Sequence, residues 1–185
     1  MLAAVTAPLL AVDIRSLEAS NPDFSTTGHA EGTTAAQPVD TDTADMLTPE
    51  SLDDLVIQNV ASSTGDKEGD CLATSVYFEA KGEPLDGQLA VAQTIVNRTN
   101  SGHFPSSICG VVRQPGQFSF MRRSGMPKAP RASAAWQRAV AVARIAREGL
   151  WKQIAPEALF FHTRSVSPGW GKTKVASLGN HIFFR

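Results

Sequence analysis

Apolar residues are spread unevenly along this chain, and the unevenness divides it. From Ser20 to Glu50 the residues are mainly Ser, Thr, Ala, Gly, Pro and Asp, with Phe24 as the single aromatic. Such a composition buries too little apolar surface to offset the entropy of ordering the backbone. Residues 20–66 therefore read as an acidic disordered linker without repeat or motif. Inside it, Leu52, Leu55, Val56, Asn59 and Val60 recur at helical spacing, with Thr48 as a cap and Pro49 in the first turn. A short docking helix over 49–60 and a solvated segment are equal readings of that run.

From residue 67 to 185 the pattern becomes that of one packed domain. Leu72, Val76, Phe78 and Ala80 predict a helix from Gly69 to Ala80, capped near Asp70. Lys81-Gly82 ends it, with Gly82 available for a left-handed turn. Glu83-Pro84-Leu85-Asp86 opens the next helix, its carboxylates facing the positive end. That helix, Gln88 to Arg98, is apolar at Leu89, Val91, Ala92, Ile95 and Val96 and belongs at the centre of the core. Residues 99–131 read as loop, and Ala132 to Glu148 as a third helix closed by Gly149. The runs Leu159-Phe160-Phe161 and His181-Ile182-Phe183-Phe184 read as two strands that pair. Helices first and strands last make the fold class α+β.

With 185 residues, the chain has room for one domain and a tail. No apolar stretch approaches the roughly 18 residues of a membrane-spanning helix. The net charge of −1 conceals a division: residues 1–70 hold 13 acids against 2 bases, net −11, and residues 71–185 hold 15 bases against 5 acids, net +10. A basic domain points to an anionic partner and says nothing of fold. Residues 1–19 begin with the uncharged run MLAAVTAPLLAV, which fits a clipped secretory signal or a membrane tether, yet lacks the Lys/Arg-rich start and a small-residue cleavage site. Two cysteines are too few for a disulfide scaffold or a four-cysteine zinc module.

Candidate chemistry is limited by the scarcity of acids in the domain: Glu79, Glu83, Asp86, Glu148 and Glu157. Glu83 and Asp86 suit a helix start, Glu148 an ion pair with neighbouring arginines, and Glu157 a turn. Glu79 is different. It follows Leu72 and Val76 at i, i+4, i+7, so its carboxylate projects from the apolar stripe of its helix among Tyr77, Phe78 and Ala80. Partial desolvation there would raise its pKa, as a general acid near neutral pH requires. A buried Glu paired to one of the many bases is the alternative.

Several blocks in register strongly resemble the SleB/CwlJ-type cell-wall hydrolase family. They are Cys71-Leu72-Ala73-Thr74-Ser75-Val76-Tyr77-Phe78-Glu79-Ala80-Lys81-Gly82-Glu83-Pro84, Gly87-Gln88-Leu89-Ala90-Val91-Ala92, Val96-Asn97-Arg98, Phe104-Pro105, Ile108-Cys109-Gly110-Val111-Val112, Gln117-Phe118-Ser119, Ala158-Leu159-Phe160-Phe161-His162 and Gly179-Asn180-His181-Ile182-Phe183-Phe184. The resemblance implies a lysozyme-like fold related to lytic transglycosylases, with Glu79 as the catalytic acid. The implied substrate is the glycan strand of peptidoglycan, cut between N-acetylmuramic acid and N-acetylglucosamine. With no second carboxylate in a comparable setting, attack by the sugar's own 6-hydroxyl is favoured over the two-carboxylate hydrolysis of ordinary glycosidases. A water-using muramidase with Asp86 or Glu83 as base, and a non-catalytic peptidoglycan-binding module, are the alternatives.

Gln117, Phe118, Ser119, Tyr77, His162, Trp170 and His181 are the candidate substrate-binding residues. Each has a structural reading beside it: a turn for Gln117–Ser119, core for Tyr77, a pinned loop for Trp170. Two histidines without a matched third ligand argue against a metal, and no cofactor is expected. Cys71 and Cys109 would form one disulfide if the chain is exported, and core thiols otherwise. Where relatives often carry a further cysteine pair around the Gln117-Phe118-Ser119 block, this chain has Phe120-Met121-Arg122-Arg123. The bases are dispersed and no nucleic-acid motif is present, so the expected partner is the glycan strand and not a nucleic acid. A monomer in the cell envelope, in the periplasm of a Gram-negative bacterium, is the expected setting.

Overall fold

The computed structural model describes residues 49–185. The leader or tether expected at 1–19, the linker up to residue 48 and the Thr48 cap lie outside the described residues. Five helices, α1 (Leu52–Gln58), α2 (Lys67–Ala80), α3 (Leu85–Asn100), α4 (Ile108–Val112) and α5 (Ala134–Glu148), precede three strands, β1 (Phe160–Thr163), β2 (Lys174–Leu178) and β3 (His181–Phe184). The strands form one antiparallel sheet in the order β1-β3-β2. The α+β expectation holds, with a helical core and a small C-terminal sheet.

Local chemistry explains where each helix begins. Ser51, rather than Thr48, caps α1 by accepting the Asp54 N–H at 3.1 Å. Leu52, Leu55 and Val56 of α1 are buried in the same core as α2, α3 and α5, so the packed body reaches upstream of Lys67. The start of α2 is earlier than predicted, because Asp66 accepts the Gly69 N–H at 2.7 Å and is gripped by Arg147 of α5 at 2.8 Å. Asp70, the expected cap, is one turn inside the helix and pairs with Arg131. α5 starts at Ala134 behind the Ser133 cap and ends, as expected, in left-handed Gly149.

Three features of the sequence reading need correction. Gly82 is not left-handed; the turn after α2 closes through the Glu83 N–H on the Ala80 carbonyl. The stretch 99–131 contains a helix, α4, too short to show a period. Two of its partners lie far away in sequence: Glu68 of α2 accepts the Cys109 N–H at 3.0 Å, and Cys109 is disulfide-bonded to Cys71, with Cα atoms 5.3 Å apart. Closing that loop is worth about 4 kcal/mol by chain entropy. Finally, β2 joins the sheet although its Lys-Val-Ala-Ser-Leu run lacks the aromatic signature of the other strands. It pairs with β3 through a bulge between Lys174 and Ala176.

Buried polar groups on α3 hold the connection from α5 to the sheet. Gln93 donates to the Lys152 carbonyl (3.0 Å) and accepts the Ile154 N–H (2.9 Å), Asn97 donates to the Ala158 carbonyl (3.2 Å), and Arg98 Nε to that of Leu159 (2.7 Å). A second apolar cluster of Ala80, Ala90, Val91, Ala155, Ala158 and Phe183 cements the sheet to α2 and α3. The β2–β3 turn is pressed onto the α2–α3 turn: Gly179 has φ 54°, and a Cβ there would collide with the Glu83 carboxylate.

Candidate active site

Glu79 is the penultimate residue of α2, one step from Ala80 in the sheet-facing cluster. Leu72 and Val76 of the same stripe are fully buried, whereas Glu79 is half-buried, at the edge of the core. Its Oε1 is shielded from solvent and has no hydrogen-bond partner among the described residues. Burial pushes the carboxyl above its ordinary value, and the backbone N–H of Ser119 beside it partly offsets that rise.

The position of Ser119 follows from its aromatic neighbours. Phe118 packs near Phe120 and Phe161 (centroids 5.5 and 6.4 Å), and Phe120 stacks on Phe78 at 5.5 Å. Two rings thus clip the loop onto α2 and β1, on either side of the residue whose N–H faces Glu79. The buried Arg98 braces the same place, its guanidinium 4.9 Å from the Phe104 ring, 5.8 Å from Phe118 and 6.0 Å from Phe160. With no carboxylate partner among the described residues, burial lowers its pKa to about 10, so it remains a cation at neutral pH.

The other candidate residues divide between core, site and sheet. Tyr77 lies two residues before Glu79, on the opposite side of the helix, and packs into the core beside Trp136 with Lys81 over its ring at 4.5 Å. Phe118 is 4% exposed and acts through packing. Gln117 and Ser119 are exposed at the loop. His162 and Trp170 lie together on the outer face of the sheet, where the Trp170 ring, 43% exposed, meets His162, Phe160 and Phe184 edge-on or tilted. His181 faces inward, 2% exposed, with burial lowering its pKa and Glu83 opposing that shift.

Of the remaining acids, Glu83 accepts the Asn180 N–H at 2.7 Å, and Asp86 sits exposed in the first turn of α3. Glu148 and Glu157 pair with Arg144 (3.2 Å) and Arg185 (3.0 Å). Among the described residues, no three His, Cys, Asp or Glu side chains gather as metal ligands would. Sequence reasoning passed over Arg98 and the Phe78–Phe120 clip. The signal available was a lone cation three residues after Ile95 on α3, with Phe104, Phe118 and Phe160 in the blocks that follow.

The Cell Wall Hydrolase (Hydrolase_2) family profile matches residues 82–184, beginning just after Glu79. The spore cortex-lytic enzyme of Bacillus subtilis (strain 168) is 32% identical over 138 residues, which cover 70% of this chain and 41% of that enzyme. That of Oceanobacillus iheyensis is 32% identical over 127 residues, covering 68% and 44%. This chain therefore spans less than half the length of these curated relatives. The catalytic domain of the Bacillus cereus SleB protein superposes with a TM-score of 0.56 at 28% identity, covering 69% of this chain and 96% of that domain. The catalytic domain of the germination-specific lytic transglycosylase SleB from Bacillus anthracis gives 0.52 at 26%, covering 66% and 99%.

A helical core closed by a small C-terminal sheet is thus the architecture of a wall-degrading enzyme's catalytic domain. The chain belongs to the Cell Wall Hydrolase family.

Proposed function

We propose that this chain cuts the glycan strand of peptidoglycan between N-acetylmuramic acid and N-acetylglucosamine by lytic transglycosylation, with Glu79 as acid and then base. The observation that carries this reading is the half-buried Glu79 carboxyl, with one shielded oxygen unpartnered and its pKa raised by desolvation. Such a group holds its proton to higher pH, as a general acid working near neutrality requires.

Glu79 donates its proton to the glycosidic oxygen as the C1–O bond breaks through an oxocarbenium-like transition state. The N-acetylglucosamine side leaves with that proton as an alcohol. The muramyl 6-hydroxyl then attacks C1, and its proton passes to Glu79, restoring the acid and leaving a 1,6-anhydro end without consuming water. One carboxyl suffices for both steps. Glu83, committed to Asn180, and Asp86, exposed on α3, offer no second carboxylate engaged with Glu79. The Bacillus anthracis relative, itself a lytic transglycosylase, supports the same choice. The Cys71–Cys109 disulfide suits an oxidising compartment outside the cytoplasm, such as the periplasm.

Mass spectrometry of muropeptides released from purified peptidoglycan by wild type and by Glu79→Gln tests the reading. Anhydromuramyl products from wild type alone are expected. Reducing ends that also need Glu79 would make the protein a hydrolase, and no product from either protein would leave a binding module.

A further inference from the structure

A cleft of about 600 Å³ lies along α2, on the side covered by the segment Met121–Arg131. Lys67, Asp70 and Thr74 of α2 form one wall, and Arg113, Lys128 and Arg131 contribute to the rest. Arg131 is neutralised by Asp70 through two hydrogen bonds of 3.0 and 2.9 Å. Lys67, Arg113 and Lys128 are not: among the described residues, no carboxylate forms an ion pair with any of them. Three uncompensated cations therefore converge on one concavity, in a domain whose acids are few.

The covering segment connects this cleft to the candidate active site. It begins beside Ser119, whose N–H faces Glu79, and ends at Arg131, whose guanidinium holds Asp70. Asp70 and Glu79 are nine residues apart on one helix, a rise of about 13–14 Å. The segment thus runs alongside α2 from the Glu79 end back towards its N-terminal half. Its charged residues, Arg122, Arg123, Lys128 and Arg131, are all basic.

We propose that this cleft is an anion subsite that takes the carboxylates of the peptide stem borne by the glycan strand whose bond lies at Glu79. The inference rests on the peptidoglycan reading above. Sugar rings and their hydroxyls are neutral and give three unpaired cations nothing to bind. The stem is the part of the same polymer that carries free carboxylates, and its attachment to the muramyl sugar delivers them to a site about 13–14 Å along α2 from Glu79.

The test uses the full chain and two substrates: peptidoglycan freed of phosphate-containing polymers with its stems intact, and the same strands stripped by an amidase, which removes the stem carboxylates and leaves one lactyl carboxylate on each muramyl sugar. Arg113→Ser combined with Lys128→Ser removes two exposed, unpaired cations and should leave the unfolding midpoint unchanged. The double variant should lose about tenfold in kcat/KM on intact wall, through KM, and keep wild-type activity on stripped strands. Co-sedimentation of Glu79→Gln with each substrate reads the subsite without catalysis: retention on intact wall should exceed that on stripped strands, and adding the two Ser substitutions should abolish that excess. Equal loss on both substrates, or no loss on either, would overturn the subsite. Sedimentation that follows the stems while wild type releases no product would support it and overturn the transglycosylase reading.

Discussion

Glu83 Oε1 lies 3.6 Å from His181 Nδ1, while Oε2 accepts the Asn180 N–H at 2.7 Å, so one carboxylate at the α2–α3 turn holds the β2–β3 turn. The 3.6 Å approach is too long for a hydrogen bond, and the strong contact is the one to Asn180. Glu83→Ala should therefore cost about 1–3 kcal/mol in urea unfolding, the penalty for stranding a charge-assisted N–H. Glu83→Gln keeps an acceptor and should cost less. Equal losses would mean that the negative charge facing His181, and not the acceptor, secures the turn.

His181 makes a second, pH-dependent contribution. Its folded-state pKa lies below the ordinary value of 6.5, because burial outweighs the pull of Glu83. The unfolded chain then binds more protons than the folded one between the two values, so stability falls as pH drops below 6.5 and levels off beneath the folded pKa. Unfolding midpoints of wild type and His181→Gln across pH 5–8 should converge at the acidic end (an interval of about three pH units around the ordinary histidine range). Parallel curves would show that His181 does not titrate differently on folding.

Glu79 has the opposite sign for a carboxyl. Its folded pKa is raised above 4.5, so the folded state holds the proton more tightly, and stability falls as pH rises from 4.5 through the folded value. Glu79→Gln, which removes the charge, should raise the melting temperature at neutral pH relative to its effect below pH 4.5, where both side chains are neutral. A constant difference across that range would mean the carboxylate costs the fold nothing.

Arg98 is expected to matter through what it holds. Arg98→Met removes the donor to the Leu159 carbonyl and should cost about 1.5–3 kcal/mol in chemical denaturation. Arg98→Lys should recover little, since an ammonium cannot reproduce the planar contact with Phe104, Phe118 and Phe160. With Phe118 loosened, the Ser119 N–H draws back from Glu79, and the alkaline limb of the pH–rate profile should move upward in both variants. A lysine variant with wild-type stability and an unshifted limb would reduce Arg98 to a space-filler.

How much of this was legible in the sequence depended on the range of each interaction. The apolar stripe of Leu72 and Val76 placed Glu79 at the core's edge, because helical periodicity is local. Gly149 and the pairing of the two aromatic strands were equally plain. The start of α2 was misplaced because two acids four residues apart can each cap a helix, and the choice is made by Arg147, 81 positions from Asp66. α4 was hidden for the same reason, stabilised as it is by Glu68 and Cys71 rather than by its own pattern. Phe118 stands among the candidate substrate contacts as part of the Gln117–Ser119 loop, because its burial against Phe161 and Arg98 is set by residues distant in sequence.

The order β1-β3-β2 has a consequence for how the molecule is made. Among the described residues β1 and β2 pair only with β3, so neither has a strand partner until His181–Phe184 is in place. The same last segment brings Asn180 to Glu83 and Phe183 to the cluster beneath Ala80, the residue after Glu79. A nascent polypeptide halted before this point would present a finished second helix over an open floor. The sheet, the floor beneath Ala80 and the hold on the α2–α3 turn thus depend together on residues 180–184.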